Sequence, residues 1–304
     1  MNDSSRDLIV RLPNWVGDVV MTLPVLQALT DIGIKPQLLG KPWINDLLAA
    51  MDIPLLTMEQ SFWNTKNKLA QLPANKALLL TNSLSSALMT FLARKQSIGY
   101  KSDRRQILLK NSLAKPQGVH EIEYFWNIAG FACKYWFPEL SWPESIPAKL
   151  FLPISPSFLF TAKKVLQDRG IKQPFWVLCP FAHGKGLDNQ SKIWPYWREL
   201  SSQLTHHNTV VCPGPNEEAL CPQLVPTATV LSGLSLGEYA AVLSLAERVI
   251  ANDSGPMHIA SAVNANVLGI FGVSDPLRTR PWGAAYIGSK NCWPDLDNVM
   301  EQLS

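Results

Sequence analysis

The sequence predicts an α/β protein built from two doubly wound domains, and three observations point there. Short apolar runs alternate with longer amphipathic segments up to about residue 131, the rhythm of a parallel sheet with helices on its faces. A Pro- and Ser-bearing stretch at 138–157, "PELSWPESIPAKLFLPISPS", then interrupts the rhythm and reads as a linker. The rhythm starts again at "FWVLCP" and runs to "VLGIFG". The length of 304 residues fits two medium domains, because single cores stop growing near ~250–300 residues. The expected domains are 1–152 and 153–304. Ligands of such folds bind at the carboxyl ends of the strands, and with two such domains the cleft between them is the default site.

Element by element, "DLIVRL" reads as a strand and residues 18–30 as a helix. "QLLG" and "KALLLTN" are further strands, followed by the helical "WINDLLAAM" and "SLSSALMTFLARK". Residues 120–131, "HEIEYFWNIAGF", form another helix. Beyond the linker a helix at 158–169 ends at Gly170, a residue suited to the left-handed position after a helix end. Next come strand "FWVLCP", helix 195–205, strands "NTVVCPG" and "ATVLSG", helix 236–246, strand "RVIAND", helix 256–264 and strand "VLGIFG".

Composition narrows the function classes. Apolar residues make up 47% and charged residues 17%, as in an ordered globule. The net charge is only +3, so no global field calls for nucleic acid. No apolar run reaches the ~18–20 residues of a membrane span. "MNDSSRDLIV" lacks the basic and apolar regions of a signal peptide. Five cysteines form no C-x-x-C and no metal spacing, which fits free thiols in a reducing cytoplasm. The phosphate-loop and H-E-x-x-H motifs are absent, and no metal is expected.

Four segments can carry chemistry. In "RLPNWVGDVVMTLPVLQAL" a lone carboxylate, Asp18, stands between two apolar segments. It reads as a helix cap or as a reacting group. As a cap it lacks the Glu or Gln three residues on, Met21 standing there. Pro24 suits a helix start, which leaves Asp18 in the loop before it. In "RVIANDSGPMHIASAV", Asp253 or Ser254 can cap a helix whose Pro256 loses little by lacking an N–H. Gly255 gives room for a ligand, and His258 lies in the first turn of a helix end suited to anions. A well-capped helix with a structural histidine reads equally from the same residues. "LCPFAHGKGLDNQSKIWPYWREL" places His183, Lys185 and Lys192 on a Gly-bearing loop, suited to a diphosphate or simply solvated. Residues 94–115 hold seven Lys/Arg against one acid. That is either a phosphate- and carboxylate-binding cluster or a solvated face; aromatics for stacking bases are lacking.

A fifth segment, "GLSLG" at 233–237, matches the G-x-S-x-G nucleophile elbow. Ser235-x-x-Glu238 is also a capping box. Asp253 and His258 lie five residues apart at one helix start, whereas a triad's acid and base come from separate loops. The hydrolase reading is therefore disfavoured. A nicotinamide oxidoreductase is disfavoured too, because N-W-V-G-D stands where G-x-G-x-x-G is required.

The chain resembles the lipopolysaccharide heptosyltransferase family. The resemblance rests on "NWVGDVVMTLPVLQAL", "TNSLSSAL" with "SIGYKSDRRQILL", "KIWPYW" and "NDSGPMHIASAV" with "IFGVSDP"; the Trp-Val-Gly-Asp form looks most like the type II enzyme. It implies a GT-B fold, with the last helix packing back on the N-terminal domain. It implies inverting, metal-independent transfer from ADP-heptose, a substrate rather than a cofactor, to heptosyl-Kdo-lipid A. Asp18 maps to the catalytic base and Lys192 to the cation on the donor diphosphate. His183, Glu217, Leu234, Asp253, Ser254, Gly255 and His258 map to the donor site. Trp15, Asn82, Lys101, Arg104 and Arg105 are then the acceptor residues, the last three holding acidic sugars and phosphates. The expected partners are the nucleotide sugar, an anionic lipid-linked oligosaccharide and the inner-membrane surface, with no nucleic acid. The expected enzyme is a monomer, cytoplasmic and peripheral at the inner membrane of a Gram-negative bacterium. A same-family enzyme with another donor or acceptor, and a non-catalytic sugar-nucleotide-binding protein, are the alternatives.

Overall fold

The computed structural model describes residues 6–182 and 190–303. Two compact units divide the chain: Met1–Asn45 with Met51–Pro147, and Asp46–Ala50 with Ala148–Ser304. His183, Lys185 and the glycines beside them lie outside the described residues.

The first series comprises β1 (Asp7–Arg11), α1 (Val16–Met21), α2 (Leu23–Asp31), β2 (Lys35–Gly40), α3 (Ile44–Leu47), β3 (Leu55–Thr57), α4 (Phe62–Gln71), β4 (Lys76–Leu79), α5 (Leu84–Leu92), β5 (Gln96–Tyr100), β6 (Asn111–Leu113) and α6 (Glu121–Trp136). Its six strands form a parallel sheet in the order β3-β2-β1-β4-β5-β6. β1 is buried almost throughout, as a strand covered on both faces must be. Two caps set the later helices. Ser83 accepts from the Ser86 N–H at 3.2 Å, and His120 with Glu123 forms a capping box on α6.

The expected helix 18–30 is two helices. The Thr22 hydroxyl donates to the Val19 carbonyl at 2.7 Å where α1 ends, and Pro24 occupies the first turn of α2. Asp18 therefore sits in the first turn of α1 and not in a loop before it.

The second series comprises α7 (Pro156–Asp168), β7 (Phe175–Cys179), α8 (Trp197–Gln203), β8 (Asn208–Val211), α9 (Cys221–Leu224), β9 (Thr229–Val230), α10 (Leu236–Leu245), β10 (Arg248–Asn252), α11 (Gly255–Ala262), β11 (Val267–Ile270), α12 (Pro276–Thr279), β12 (Ala285–Ile287) and α13 (Leu296–Leu303). Its parallel sheet runs β12-β11-β10-β7-β8-β9. Gly170, at φ 68°, follows α7 in the left-handed conformation its position demands. Ser235 and Glu238 make the capping box of α10, so the G-x-S-x-G match is a helix start. α8 begins two residues later than expected, because Pro195 and Tyr196 form a turn.

The last helix belongs to the second unit. Val299 of α13 is buried in the cluster formed by Trp194, Trp197, Leu200 and Ile250, with Leu296, Met300 and Leu303 packed against it. α13 is amphipathic, and its apolar stripe is spent on the core of the second unit itself.

Each sheet reverses its winding beside its first strand, between β1 and β4 and between β7 and β10. Such switch points open a crevice at the carboxyl ends of the strands. No helix among the described residues is long and apolar enough to cross a membrane.

Gly272 tests the packing beyond β11. A Cβ there would fall on the Trp293 indole ring. Gly272→Ala should cost ~1–3 kcal/mol by overpacking, read as a lowered urea midpoint with unchanged slope.

Candidate active site

The second unit builds its site around Asn252, the buried last residue of β10. The Asn252 side-chain oxygen accepts from the Trp194 N–H and from the Trp197 indole N–H, both at 3.1 Å. Its amide donates to the Pro180 carbonyl, just past β7. Trp194 and Trp197 are fully buried and meet edge to face. The Trp194 indole also donates to the Pro294 carbonyl at 2.9 Å. The chain entering α8 is thus fastened to the end of β10, and Lys192 is carried two residues ahead of that anchor.

Lys192 Nζ lies 2.8 Å from Asp253 Oδ2, with side-chain exposures of 24% and 7%. The Ser274 hydroxyl donates to the same carboxylate oxygen. Asp253 is therefore not the cap of α11, and Ser254, at the cap position, makes no side-chain capping bond either. Asp253 instead sets the position of Lys192. An ammonium carries three N–H donors and Asp253 uses one, which leaves a partly exposed cation at the β7–β10 switch point. Ser254 and Gly255 are half-buried at the start of α11, while His258 is buried in its first turn. The helix start contributes N–H groups and the positive dipole end.

Glu217 and Leu234 come from the neighbouring loops. The Glu217 carboxylate accepts from the Gly214 N–H at 2.6 Å and closes the turn after β8. Leu234 is half-buried just ahead of α10. Behind them the Cys179 thiol and the Tyr239 hydroxyl lie 3.0 Å apart. Burial pushes Cys179 up to about 12, and it raises Tyr239 well above its usual range. A thiol so protonated is no nucleophile at neutral pH.

In the first unit Asp18 follows β1 and Asn82 follows β4, so both lie at the β1–β4 switch point. The loop before α1 is shaped by Arg11. Its buried guanidinium donates to the Leu12 carbonyl and, at 2.7 Å, to Asn14 Oδ1. Burial lowers the Arg11 pKa to about 10. Asp18 is half-buried, and Trp15 stands 63% exposed at the head of the same helix.

Arg105 departs from its expected role. It is fully buried and donates to the carbonyls of Tyr100 at 2.9 Å and Thr81 at 2.6 Å, and to Asn82 Oδ1 at 3.3 Å. Its donors tie the ends of β4 and β5 together and do not face solvent. Asn82 also exchanges hydrogen bonds with the Tyr124 hydroxyl at 2.8 and 3.1 Å. Of the expected acceptor cations only Lys101 and Arg104 are exposed. Ser274, Asn252 and Arg11 are the positioning residues that sequence reasoning gave no role. Among the described residues no group of three or more His, Cys, Asp and Glu could hold a metal ion.

The model of the family described as glycosyltransferase family 9 (heptosyltransferase) matches residues 62–302. The chain belongs to that family. The lipopolysaccharide core heptosyltransferase OpsX of Haemophilus influenzae is 31% identical, covering 98% of this chain and 85% of that protein. Lipooligosaccharide heptosyltransferase 2 of the same organism is 26% identical over 90% of this chain and 86% of its own length. The ADP-heptose LPS heptosyltransferase II of Escherichia coli shares the fold with a TM-score of 0.78, at 22% identity over 98% of this chain and 97% of that one. The family 9 chain thus has the two doubly wound α/β units of the GT-B class.

The family 9 site makes its ion pair testable. Removing one partner of a largely buried pair typically costs ~3–5 kcal/mol. In a double-mutant cycle, Asp253→Ala and Lys192→Ala should couple by ~1–3 kcal/mol in urea unfolding; additive losses would mean that Asp253 does not hold Lys192.

Proposed function

We propose that the protein is an inverting, metal-independent heptosyltransferase. It moves heptose from ADP-L-glycero-D-manno-heptose to heptosyl-Kdo-lipid A at the cytoplasmic face of the inner membrane. The observation that carries this reading is the Lys192–Asp253 pair at 2.8 Å, set at the start of α11. Family membership and the relatives' names support the class of donor and acceptor.

The chemistry is one displacement at the anomeric carbon. The acceptor hydroxyl attacks as Asp18 takes its proton, and the bond from the sugar to the diphosphate breaks. Negative charge then gathers on ADP. Lys192 and the first N–H groups of α11 stabilise that charge where it develops, and preorganised donors of this kind supply several kcal/mol. Asp253 would repel the diphosphate if bare. Its engagement by Lys192 and Ser274 damps that repulsion while holding the ammonium in place. Glu217 and Leu234 stand beside the ribose and adenine, and Lys101 and Arg104 hold acidic groups of the acceptor.

Purified protein with ADP-heptose and deacylated heptosyl-Kdo-lipid A should show the mass gain of one heptose. Asp18→Asn should lower kcat by ~10²–10⁴-fold, the usual contribution of a positioned base. Undiminished turnover would remove Asp18 from the mechanism. Transfer only from another ADP-sugar, or only to another acceptor, would redirect the substrate assignment within the family. Lys101→Ala with Arg104→Ala should raise the acceptor KM and leave the donor KM unchanged; an unmoved acceptor KM would dismiss the cation site.

A further inference from the structure

α5 is built the wrong way round for a surface helix. Its inward stripe is Ser86, Ala87, Met89 and Thr90. Its outward stripe is Leu84 (49% exposed), Leu88 (38%), Phe91 (53%) and Leu92 (38%). These positions are spaced i, i+4, i+7 and i+8, so they form one continuous face. By contrast α2 of the same unit exposes Gln27, Thr30 and Asp31. Ile107, on the short 3-10 turn (Arg105–Leu108) that packs against α5, is 82% exposed. Single exposed apolar residues mean little, but a contiguous set marks an interaction surface.

The charge around this face chooses among occupants. The segment that follows α5, residues 94–115, carries seven Lys/Arg against Asp103 alone. Of these only Arg105 is buried. The whole chain nets only +3, so the rest of the molecule is net negative and the cations are gathered here. A second copy of the chain would bring the same cations against themselves. An anionic lipid surface instead accepts apolar side chains among its acyl chains and cations among its headgroups.

We infer that the outward face of α5, with Ile107 at its side and the exposed Arg94 and Lys110 in the basic segment that follows it, docks on an anionic lipid bilayer. The inference deepens the reading of a lipid-linked acceptor and rests on it. Four large apolar side chains enter the interfacial layer, and the cations hold the headgroups. The reducing-end lipid of the acceptor is thereby brought to the same unit that carries Asp18.

Co-sedimentation tests this with vesicles of pure phosphatidylcholine and of three parts phosphatidylcholine to one part phosphatidylglycerol. The wild type should bind the anionic vesicles about tenfold more tightly than the neutral ones and release them as salt rises. Leu88→Gln with Phe91→Gln should lose about tenfold of that binding. Ile107→Gln should lose less, and both variants should keep the wild-type melting temperature. Turnover on the deacylated, water-soluble acceptor should be unchanged in both. Equal vesicle binding by wild type and variants overturns the proposal. So does a wild-type dimer that Leu88→Gln with Phe91→Gln converts to monomer, which would make the face an interface between copies. Failure of the enzymatic reading has a different signature: no transfer to the soluble acceptor by the wild type, with vesicle binding intact.

Discussion

The side chain of Asn252 is the bond on which the second unit's site depends. A buried amide must satisfy its donors and acceptor or cost free energy. Here they are used on Pro180 past β7 and on Trp194 and Trp197 at the start of α8. One side chain therefore fixes two loops against one strand end, and the loop positions leave Lys192 beside Asp253. The cation that would meet a diphosphate is placed by an uncharged neighbour. Asp253 and Ser274 then finish the alignment.

The first unit solves the same problem with guanidinium groups. Arg11 braces the loop between β1 and α1, and Arg105 joins the end of β5 to the turn that precedes α5. A planar group with five donors in a rigid fork can cap several carbonyls at once, in a fixed geometry that the point charge of a lysine does not impose. Burial lowers the pKa of both. The loop that leads into α1, where Asp18 sits in the first turn, and the turn carrying Asn82 are each tied to a buried guanidinium.

Much of this was legible in the sequence, and the exceptions have physical causes. The central strands, such as Leu8–Val10 and Val249–Ala251, read clearly because they are buried on both faces. β3, β5, β6 and β12 passed unnoticed: β3, β6 and β12 are three-residue edge strands without full burial, and β5, though buried, is Gln-Ser-Ile-Gly-Tyr and shows no apolar run. The Ser235 cap was readable because a capping box is local. Arg105 was not, because a run of seven cations carries no sign of which one turns inward. The space that admits it is set by Gly99, where a Cβ would meet its guanidinium at 2.9 Å. Asp253 was recognisable as a candidate, but its partner Ser274 lies 21 positions away, and only the adjacency of β10 and β11 brings the two together.

The placement of α13 links the end of the chain to the site. Val299 packs into the cluster that also seats Trp194 and Trp197, and Arg248 at the start of β10 donates to the Gln302 carbonyl. Local openings in proteins run through contiguous cooperative units. Fraying of α13 would therefore uncover the indole rings from which the Lys192 segment hangs. Amides in α13 and at the Trp194–Trp197 turn should therefore exchange as one cooperative unit, because they share one buried cluster. Order around Lys192 is in this sense a property of the whole second unit, reaching to α13.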